Sequence, residues 1–374
     1  MKLLMVNYEF PPIGGGGANA NAYLLKEYAN HPGIEVDLVT SSISGDCIES
    51  LSDNIRIHRL DVKKKRLHYW TEVEVLRFLF RAIPYVKALL KTKKFDLCHA
   101  FFGFPSGYVA YRFRKELPYI ISLRGSDVPG FNERFSLQYV FLTPLFRKIW
   151  NSAKSVIANS GELRSLALKT TPELPIDIIY NGIDADEFKP GEKKRDPGFS
   201  ILTVSRLIPR KGIDYLIRAL PDVVRRFPDL CLSIAGEGNM DEDLKALAAG
   251  LGLENNISFE GRVEHDRLPA LYGSADIFIL PSFWEGMSNT VLEAMASGLP
   301  LVVTDTGGTA ELVKDNGIII PKRDSKAISG ALIKLIEDSD LRVKMGQESR
   351  SLALGLSWDK LALQYLDTYK RMPK

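Results

Sequence analysis

Short apolar runs alternate with longer amphipathic stretches along the whole chain. The first half contains seven runs rich in Val, Ile and Leu, which read KLLMVN, IEVDLVT, NIRIHRL, DLCHAFF, PYIISLR, SVIAN and IDIIY. The second half contains five more, SILTVS, LCLSIAG, ISFEG, DIFILPS and PLVVTD, and helical periodicity lies between them, as in KGIDYLIRALPDVVRRF and SKAISGALIKLIED. This alternation predicts an α/β architecture with parallel sheets covered by helices on both faces.

The pattern breaks once, over residues 181–199, which are rich in Gly, Pro and charge, and it restarts with SILTVS. Because 374 residues exceed what one hydrophobic core usually serves, we predict two doubly wound, Rossmann-like domains that face each other across a cleft. The N-terminal domain is expected over 1–180, a linker over 181–198 and the second domain over 199–355. A closing helix over 356–374 is expected to pack back towards the first domain.

Composition indicates an ordinary soluble globular protein, since 45% of the residues are hydrophobic and 25% are charged. The apolar start LLMV is too short for a signal peptide or a membrane span. The three cysteines are widely scattered without metal-ligand spacing, which suits reduced thiols in the cytoplasm. We therefore expect a cytoplasmic protein.

Charge is unevenly distributed, because residues 1–170 hold 24 Lys and Arg against 15 Asp and Glu. This excess suggests an anionic partner, for which nucleic acid, a membrane surface and a lipid phosphate are candidates. Residues 56–94 hold twelve basic and three acidic residues interleaved with aromatic ones. Such a stretch suits the inner face of an anionic membrane, and the alternative is an ordinary helix with solvated lysines.

Four consecutive glycines, Gly14 to Gly17, follow the first apolar run. A dinucleotide-binding loop would need glycine where Asn19 stands, and it would need a carboxylate at the end of the second strand, VDLVTSS. An NAD-dependent oxidoreductase is therefore rejected. A glycine loop that leads into a helix still favours an anion, and the alternative is a mobile surface loop.

Three further strand ends carry candidate chemistry. In VSRLIPRKG, Arg206 closes a strand and Lys211 precedes a helix, and two such cations suit a diphosphate, with a solvated basic loop as the alternative. In ISLRGSDVPG, Arg124, Gly125 and Asp127 suit a cleft wall or, equally, a structural Arg–Asp pair.

The third strand end, PSFWEGMSNTVLEAMASGLP, places Glu285 and Glu293 eight positions apart around the start of a helix. Backbone donors from Met287 to Val291 could hold a phosphate or sugar hydroxyls, and carboxylates accept hydrogen bonds from adjacent hydroxyls. Glu293 could instead complete a capping box with Thr290.

Taken together, these residues resemble a retaining glycosyltransferase of the GT-B fold in glycosyltransferase family 4. The resemblance covers nearly the whole chain and is carried by the glycine loop, YNGIDADEFKP, SRLIPRKGIDYLIRA, LSIAGEG, FEGRV and the long run from LYGSADIFILPS to GGTAELV. The E-x7-E element within that run is the most specific part.

The resemblance implies that the domain over 1–180 is the acceptor side and that the domain over 199–355 binds the nucleotide sugar. It also implies a role for each matching position. Gly16 and Gly17 would approach the donor phosphates, Arg206 and Lys211 would neutralise the diphosphate, and Glu285 would hold the transferred sugar. Further donor contacts are implied for the backbone of Gly286, Met287 and Ser288 at the sugar, for Asn289, Thr290 and Val291 at the phosphates, for Glu293 at the ribose, and for Arg262 and Val263 at the base.

One position departs from the family pattern, since many members have a histidine where this chain has Arg124. An arginine cannot act as a base at neutral pH, so Arg124 is expected to pair with a phosphate or an acidic group. Asp127 aligns with the acidic residue of this family motif and is the nearby candidate for a catalytic residue. Three D-x-D tripeptides occur, at Asp184, Asp241 and Asp338, and we interpret none as a metal site. Protein cations and helix dipoles would replace the metal.

The sequence thus predicts metal-independent, retaining transfer of a hexose or similar sugar from a UDP-, GDP- or ADP-sugar, without a cofactor. Glycan, lipid-linked and small-molecule acceptors remain open, and surface polysaccharide or glycoconjugate biosynthesis is the expected setting, without nucleic acid as a partner. A nucleotide-sugar 2-epimerase is the alternative enzyme. A catalytically dead binding subunit is disfavoured by the intact Glu285, Arg206 and Lys211.

Overall fold

The structure is a computed structural model that describes residues 1–67, 69–131, 136–191 and 198–372. The chain divides into two compact units, one formed by Met1–Asn181 with Trp358–Lys374 and the other by Gly182–Ser357. Residues 192–197 of the predicted linker and 373–374 of the predicted closing helix lie outside the described residues. Ile183 and Phe188, from the segment predicted as linker, are buried in the second unit.

The first unit is built on an eight-stranded sheet in the order β3-β4-β2-β1-β5-β6-β7-β8. Its strands are β1 (Lys2–Asn7), β2 (Glu35–Ser42), β3 (Cys47–Ser52), β4 (Ile55–Asp61), β5 (Leu97–Phe101), β6 (Tyr119–Ser122), β7 (Ser155–Ala158) and β8 (Ile176–Ile178). The helices that connect them are α1 (Gly16–Ala29), α2 (Glu72–Thr92), α3 (Ser106–Arg112), α4 (Ser136–Asn151) and α5 (Gly161–Thr170). Strand pairing is parallel except between β3 and β4.

The second unit is built on a six-stranded parallel sheet in the order β11-β10-β9-β12-β13-β14. Its strands are β9 (Ser200–Val204), β10 (Cys231–Ala235), β11 (Ile257–Gly261), β12 (Ile277–Leu280), β13 (Leu301–Thr304) and β14 (Gly317–Ile320). Its helices are α6 (Ile213–Val224), α7 (Asp241–Gly250), α8 (Leu268–Ser274), α9 (Asn289–Ala296), α10 (Ser325–Glu337) and α11 (Ser339–Leu354). The strand order reverses between β9 and β12, where ligands of such sheets bind.

All twelve apolar runs that were predicted as strands form strands, and most of their side chains are buried in a sheet. Two strands were missed. The side chains of β3 from Cys47 to Leu51 are exposed, so this edge strand lacks an apolar pattern, and β14 is a run of only four residues, GIII.

The last helix, α12 (Trp358–Lys370), packs against α1 of the first unit. The hydroxyl of Tyr369 accepts a hydrogen bond from Tyr28 at 2.9 Å and is 2.7 Å from Nδ1 of His99. The hydroxyl of Tyr365 accepts from Ser122 at 3.3 Å. Burial, assisted by the charge of Arg124, holds the pKa of His99 well below its usual range, so this imidazole is neutral. A buried polar network therefore joins the end of the chain to the first sheet.

Within the described ranges, no helix is both long and apolar enough to cross a membrane.

Candidate functional site

The loop after β9 in the second unit carries two cations. Arg206 is exposed, whereas Lys211 is buried at the end of a short 3₁₀ turn. Gly212 follows with a φ of +64°, and a Cβ there would lie 2.4 Å from the carbonyl oxygen of Pro281. Only glycine tolerates both the backbone conformation and the close approach. This turn therefore brings Lys211 against the loop that follows β12.

Lys211 and Glu285 form an ion pair there, with each side chain about one tenth exposed. The hydroxyl of Ser282 donates to Oε1 of Glu285 at 2.6 Å. The backbone N–H of Phe283 donates to the carbonyl of Arg210 at 2.8 Å and ties the two loops together. Because β9 and β12 are neighbours where the strand order reverses, the pair lies at the position expected for a ligand site.

The electrostatics of the pair favour an ionised carboxylate. Burial acts to raise the pKa of Glu285, but the charge and hydrogen bond of Lys211 and the hydrogen bond of Ser282 outweigh it, so the pKa is lowered. For Lys211, burial lowers the pKa, Glu285 opposes this effect, and the nearby Arg210 and Arg206 add to it. Two additional positive charges thus stand close to the pair, which leaves an excess of positive charge on this loop.

The helix that follows Glu285 begins without a side-chain cap. Helix α9 starts at Asn289, and Ser288 before it makes no capping hydrogen bond, although its hydroxyl is 3.1 Å from that of Thr290. The capping-box alternative is therefore wrong, since Thr290 lies inside the helix rather than at its cap. The side chain of Glu293 therefore does not serve as part of a helix cap.

The carboxylate of Glu293 accepts a hydrogen bond from the hydroxyl of Tyr272 at 2.8 Å. Burial raises the pKa of Glu293 to about 7, Tyr272 opposes the rise, and the charge of Glu187 adds to it. Glu187 itself contacts Nε2 of His265 at 3.1 Å. Glu293 is thus a partly buried carboxylate that titrates near neutral pH.

The chain between the two carboxylates contains the six residues predicted to contact the sugar and phosphates. Three of these residues are buried, namely Met287, Ser288 and Val291. The other three, Gly286, Asn289 and Thr290, are partly buried. What this segment offers is chiefly backbone, at the positive end of the α9 dipole.

The loop after β10 packs directly on the loop that carries Arg206. A Cβ on Gly236 would lie 1.8 Å from the carbonyl oxygen of Ser205, and one on Gly238 would lie 2.1 Å from that of Leu207. The AGEG sequence is therefore required by the close approach of two backbones, which fixes the path of the cationic loop.

Arg262 and Val263 lie beyond the carboxyl end of β11, at the edge of the sheet. The side chain of Arg262 is half exposed, with its Nε 3.3 Å from Oε1 of Glu264, and Val263 is partly buried. Both lie on the same sheet edge as Lys211 and Glu285, two strands away from β9.

The glycine run of the first unit opens α1. Gly14 has a φ of +104°, and a Cβ on Gly17 would lie 2.6 Å from the ring of Phe102, so both positions are explained within the unit. A Cβ on Gly15 would meet nothing within 4 Å, and Gly16 is exposed. Helix α1 begins after Gly15 without a side-chain cap. Part of the run thus leaves open backbone at a helix start.

Arg124 is held by hydrogen bonds at the end of β6. Its guanidinium donates to Asn181 at 2.8 Å and to the hydroxyl of Tyr365 at 3.0 Å, and it lies 4.5 Å above the ring of Phe101. This arginine therefore links the end of β6 to Asn181 and to α12.

Asp127 is buried, and its carboxylate is occupied by backbone. One oxygen accepts from the N–H of Gly103 at 2.6 Å, and the other accepts from those of Arg124 and Gly125 at 2.9 Å each. Burial raises the pKa of Asp127, and these three donors oppose the rise. The structure thus shows this carboxylate holding the turn of its own loop.

The three D-x-D tripeptides have structural partners. Asp338 caps α11 by accepting from the N–H of Leu341 at 2.9 Å, and Asp241 pairs with Lys245 at 2.6 Å. The carboxylate of Asp184 accepts from the backbone N–H groups of Asp186 and Glu187. In the part of the chain that the structure describes, no group of three His, Cys, Asp or Glu side chains could hold a metal ion.

The sequence interpretation missed two residues that hold the carboxylates, Ser282 and Tyr272. It also missed an aromatic and cationic cluster beside Glu285, in which Lys322 lies 5.6 Å from the ring of Trp284 and Arg323 lies 4.8 Å from that of Phe283. The sequence pattern gave no signal for them, because Lys322 and Arg323 follow β14, a strand that was not predicted.

Two family models match this chain. "Glycosyl transferases group 1" matches residues 184–352, and "Glycosyltransferase Family 4" matches residues 14–187. An uncharacterized glycosyltransferase of Methanocaldococcus jannaschii is 28% identical over 99% of this chain and 98% of its own. The GDP-mannose-dependent alpha-(1-6)-phosphatidylinositol monomannoside mannosyltransferase of Mycobacterium tuberculosis is 31% identical, over 60% of this chain and 63% of its own.

Among solved structures, the sucrose-phosphate synthase of Thermosynechococcus elongatus shares the fold with a TM-score of 0.84, at 20% identity over 99% of this chain and 98% of that one. The fold class predicted from the sequence, α/β of the GT-B type, is confirmed. The chain belongs to the group 1, family 4 glycosyltransferases, and it is an enzyme of that class.

Proposed function

We propose that this glycosyltransferase moves a hexose or similar sugar from a nucleoside diphosphate sugar to a glycan, lipid-linked or small-molecule acceptor, with retention of configuration and without a metal. The single observation that carries the proposal is the Lys211–Glu285 pair, which joins two strand ends at the switch point of the second sheet. A mannosyltransferase that is similar to this chain is by name GDP-mannose-dependent, which supports a nucleotide sugar as donor.

The chemistry needs groups that stabilise the charge on the leaving diphosphate and groups that hold the transferred sugar. As the bond between the anomeric carbon and the phosphate oxygen breaks, negative charge collects on the diphosphate. Lys211, Arg206 and the start of α9 would stabilise this charge, since cations and helix N-termini are fixed in advance and need not reorganise. Glu285, kept ionised by Lys211, would accept hydrogen bonds from the hydroxyls of the transferred sugar.

Retention would follow if the acceptor attacks from the face that the diphosphate leaves. The acceptor oxygen then forms its bond to the anomeric carbon while its proton passes to the departing phosphate oxygen, so no protein base is needed. Asp127, with three backbone donors on its carboxylate, is assigned in this proposal to holding its loop rather than to proton transfer.

The remaining donor contacts complete the proposal. Glu293 would accept from the ribose hydroxyls, the backbone near Arg262 and Val263 would meet the base, and the open backbone at Gly16 would approach the phosphates beside Gly17. Arg124 is assigned to acidic groups of the donor or acceptor. The nucleotide is a UDP-, GDP- or ADP-sugar, to be identified by thermal shift with a panel of donors, because a bound donor raises stability in proportion to its affinity.

The test is substitution of the pair. Lys211→Gln and Glu285→Gln are expected to abolish transfer, with Lys245→Gln, an exposed lysine of α7, as the matched control that retains it. Glutamine is chosen at both positions of the pair because alanine would leave a buried charge without its partner, at a cost of about 3–5 kcal/mol. Thermal unfolding checks that each variant folds. Near-normal transfer by either variant would refute its assignment, and an isomerised sugar nucleotide formed without acceptor would indicate the 2-epimerase instead.

We further propose a cytoplasmic enzyme that works at the inner face of an anionic membrane, in polysaccharide or glycoconjugate biosynthesis. The support is the basic stretch over 56–94 and the lipid acceptor in the name of the mycobacterial relative.

A further inference from the structure

Two helices of the first unit expose large apolar side chains to solvent. Helices α2 and α4 each contribute three, and their exposed fractions run from 52% to 78%. They are Val73, Leu76 and Phe80 on α2 and Leu137, Val140 and Phe141 on α4, and together they are called here the α2–α4 face. Single exposed apolar residues are ordinary, but six on two helices of the same layer indicate an interaction surface.

The six side chains form two stripes on one layer of the unit. At 3.6 residues per turn, the three on α2 lie within roughly 60° of one another and the three on α4 within roughly 100°. Helix α3 contacts both α2 and α4 and so lies between them. All three helices connect successive parallel strands and therefore cover the same face of the sheet.

The apolar residues lie at the end of each helix that is nearest the predicted chemistry. A helix that joins parallel strands begins at the carboxyl edge of the sheet, and the apolar stripes occupy the first turns of α2 and α4. The glycine run after β1 and the Arg124 loop after β6 lie at that same edge. An acceptor held in a surface against this face would be presented at the edge where the donor phosphates are expected.

Cations accompany the apolar stripes. Lys65 and Arg66 are exposed in the segment before α2, close in sequence to Val73. Further along the stripes, Lys87 and Lys148 are exposed on the same sides of α2 and α4 as the apolar residues. Cations beside an apolar stripe suit the headgroup region of an anionic bilayer, where apolar groups enter and lysines meet phosphates.

We propose that the α2–α4 face docks on an anionic lipid bilayer. This proposal rests on the membrane contact proposed above and assigns it to particular residues, including α4, which lies outside the basic stretch over 56–94. A second copy of this chain fits the face less well, because residues 1–170 carry nine more basic than acidic residues, and self-association would bring like charges together.

The experiment is vesicle flotation with the full chain. Vesicles of phosphatidylcholine alone and of phosphatidylcholine with phosphatidylglycerol are compared at low and high salt. The parent protein is expected to float with the anionic vesicles only, and high salt should weaken the binding. Phe80→Ser with Phe141→Ser should reduce the partition coefficient by about tenfold or more, because the two largest apolar groups no longer enter the bilayer. Lys65→Glu with Arg66→Glu should reduce it by roughly fivefold per charge.

Matched controls alter equally exposed residues elsewhere. The double variant Val343→Ser with Leu363→Ser changes apolar residues that are 57% and 50% exposed on α11 and α12. It should bind the vesicles as the parent does. Lys326→Glu with Lys334→Glu controls for charge reversal in the second unit.

Several outcomes would overturn the proposal. These are absence of flotation by the parent, equal flotation by the Phe80 and Phe141 variant, and conversion of a parent dimer into a monomer by that variant without vesicle binding. Donor binding, followed by thermal shift without vesicles, is measured in parallel. If the parent protein binds the donor but does not float with the vesicles, the proposed membrane face is wrong and the glycosyltransferase assignment stands. If the parent protein floats but does not bind the donor, the proposed donor site is wrong.

Discussion

The raised pKa of Glu293 should make both the stability of the protein and its affinity for the donor depend on pH. Its carboxyl group is partly buried, bonded to Tyr272, and has a pKa raised to about 7 by burial. In the unfolded chain the same group titrates near its ordinary value of 4.5. Between these two values the folded protein binds the proton more tightly than the unfolded chain, so its stability falls as the pH rises from about 4.5 to about 7.

The magnitude follows from the size of the shift. A difference of one pKa unit corresponds to about 1.4 kcal/mol, so a shift from 4.5 to about 7 means that ionising Glu293 costs at most about 3.5 kcal/mol of unfolding free energy at high pH. Glu293→Gln removes this dependence while keeping an acceptor for the hydroxyl of Tyr272. The variant should therefore gain stability over the parent at about pH 8 and show no such gain at about pH 4.5.

Donor binding should show the opposite trend. Ribose hydroxyls donate hydrogen bonds, so they favour the ionised carboxylate, and affinity should rise roughly tenfold between about pH 6 and pH 8. Calorimetry with the donor itself is the suitable assay, because both phosphates of a nucleotide sugar are diesters that do not titrate in this range. Glu293→Gln should bind weakly and without this pH dependence. Tyr272→Phe should move the midpoint upwards by roughly one to two pH units, since a hydrogen bond to a charged group is lost.

The effect of Glu293 on the pH dependence must be distinguished from the effects of the charged groups near it. Glu187 raises the pKa of Glu293 through its charge, and His265 contacts Glu187. His265→Gln is the control, because it removes the imidazole that contacts Glu187 while leaving Glu293 and Tyr272 in place. If the pH dependence of donor affinity survives in Glu293→Gln, or disappears in His265→Gln, the reasoning from Glu293 is refuted.

Three further predictions test other parts of the structure. Gly236→Ala should lower the unfolding temperature strongly and weaken donor binding, because its Cβ would lie 1.8 Å from the carbonyl oxygen of Ser205, and calorimetry showing parent stability would contradict this contact. Tyr369→Phe should lower the unfolding free energy by about 1–3 kcal/mol in urea titration, since the partners in its polar network are left unsatisfied, and an unchanged midpoint would argue against the network. Dialysis against EDTA should leave the transfer rate unchanged, and restoration of a lost rate by magnesium or manganese would show that Lys211 and Arg206 do not suffice.

The fold was predictable because parallel strands that are buried on both faces leave continuous apolar runs, and every such run became a strand. Strand β3 was not predicted, because it lies at the edge of the first sheet and its side chains from Cys47 to Leu51 are exposed. A strand with exposed side chains has no continuous apolar run. What a linear pattern cannot show is pairing across the chain.

The same limit applies to the candidate site. Sequence position was enough to place Lys211 and Glu285 at strand ends, since carboxyl ends of parallel strands share an edge. It could not show that the two side chains form a pair, nor that Tyr272 reaches Glu293, because those contacts depend on loops from different elements. It also could not separate a free carboxylate from one occupied by backbone donors, as at Asp127.

The position of α12 has a consequence for synthesis on the ribosome. The first unit is discontinuous along the chain, because its last helix is encoded after the whole of Gly182–Ser357. Domains generally fold as they emerge, N-terminal first, yet here His99 and Tyr28 must wait for Tyr369 to leave the exit tunnel. The second unit can therefore complete its fold before the first unit does. In a chain truncated before Trp358, the first unit would lack its last helix and could not complete its fold.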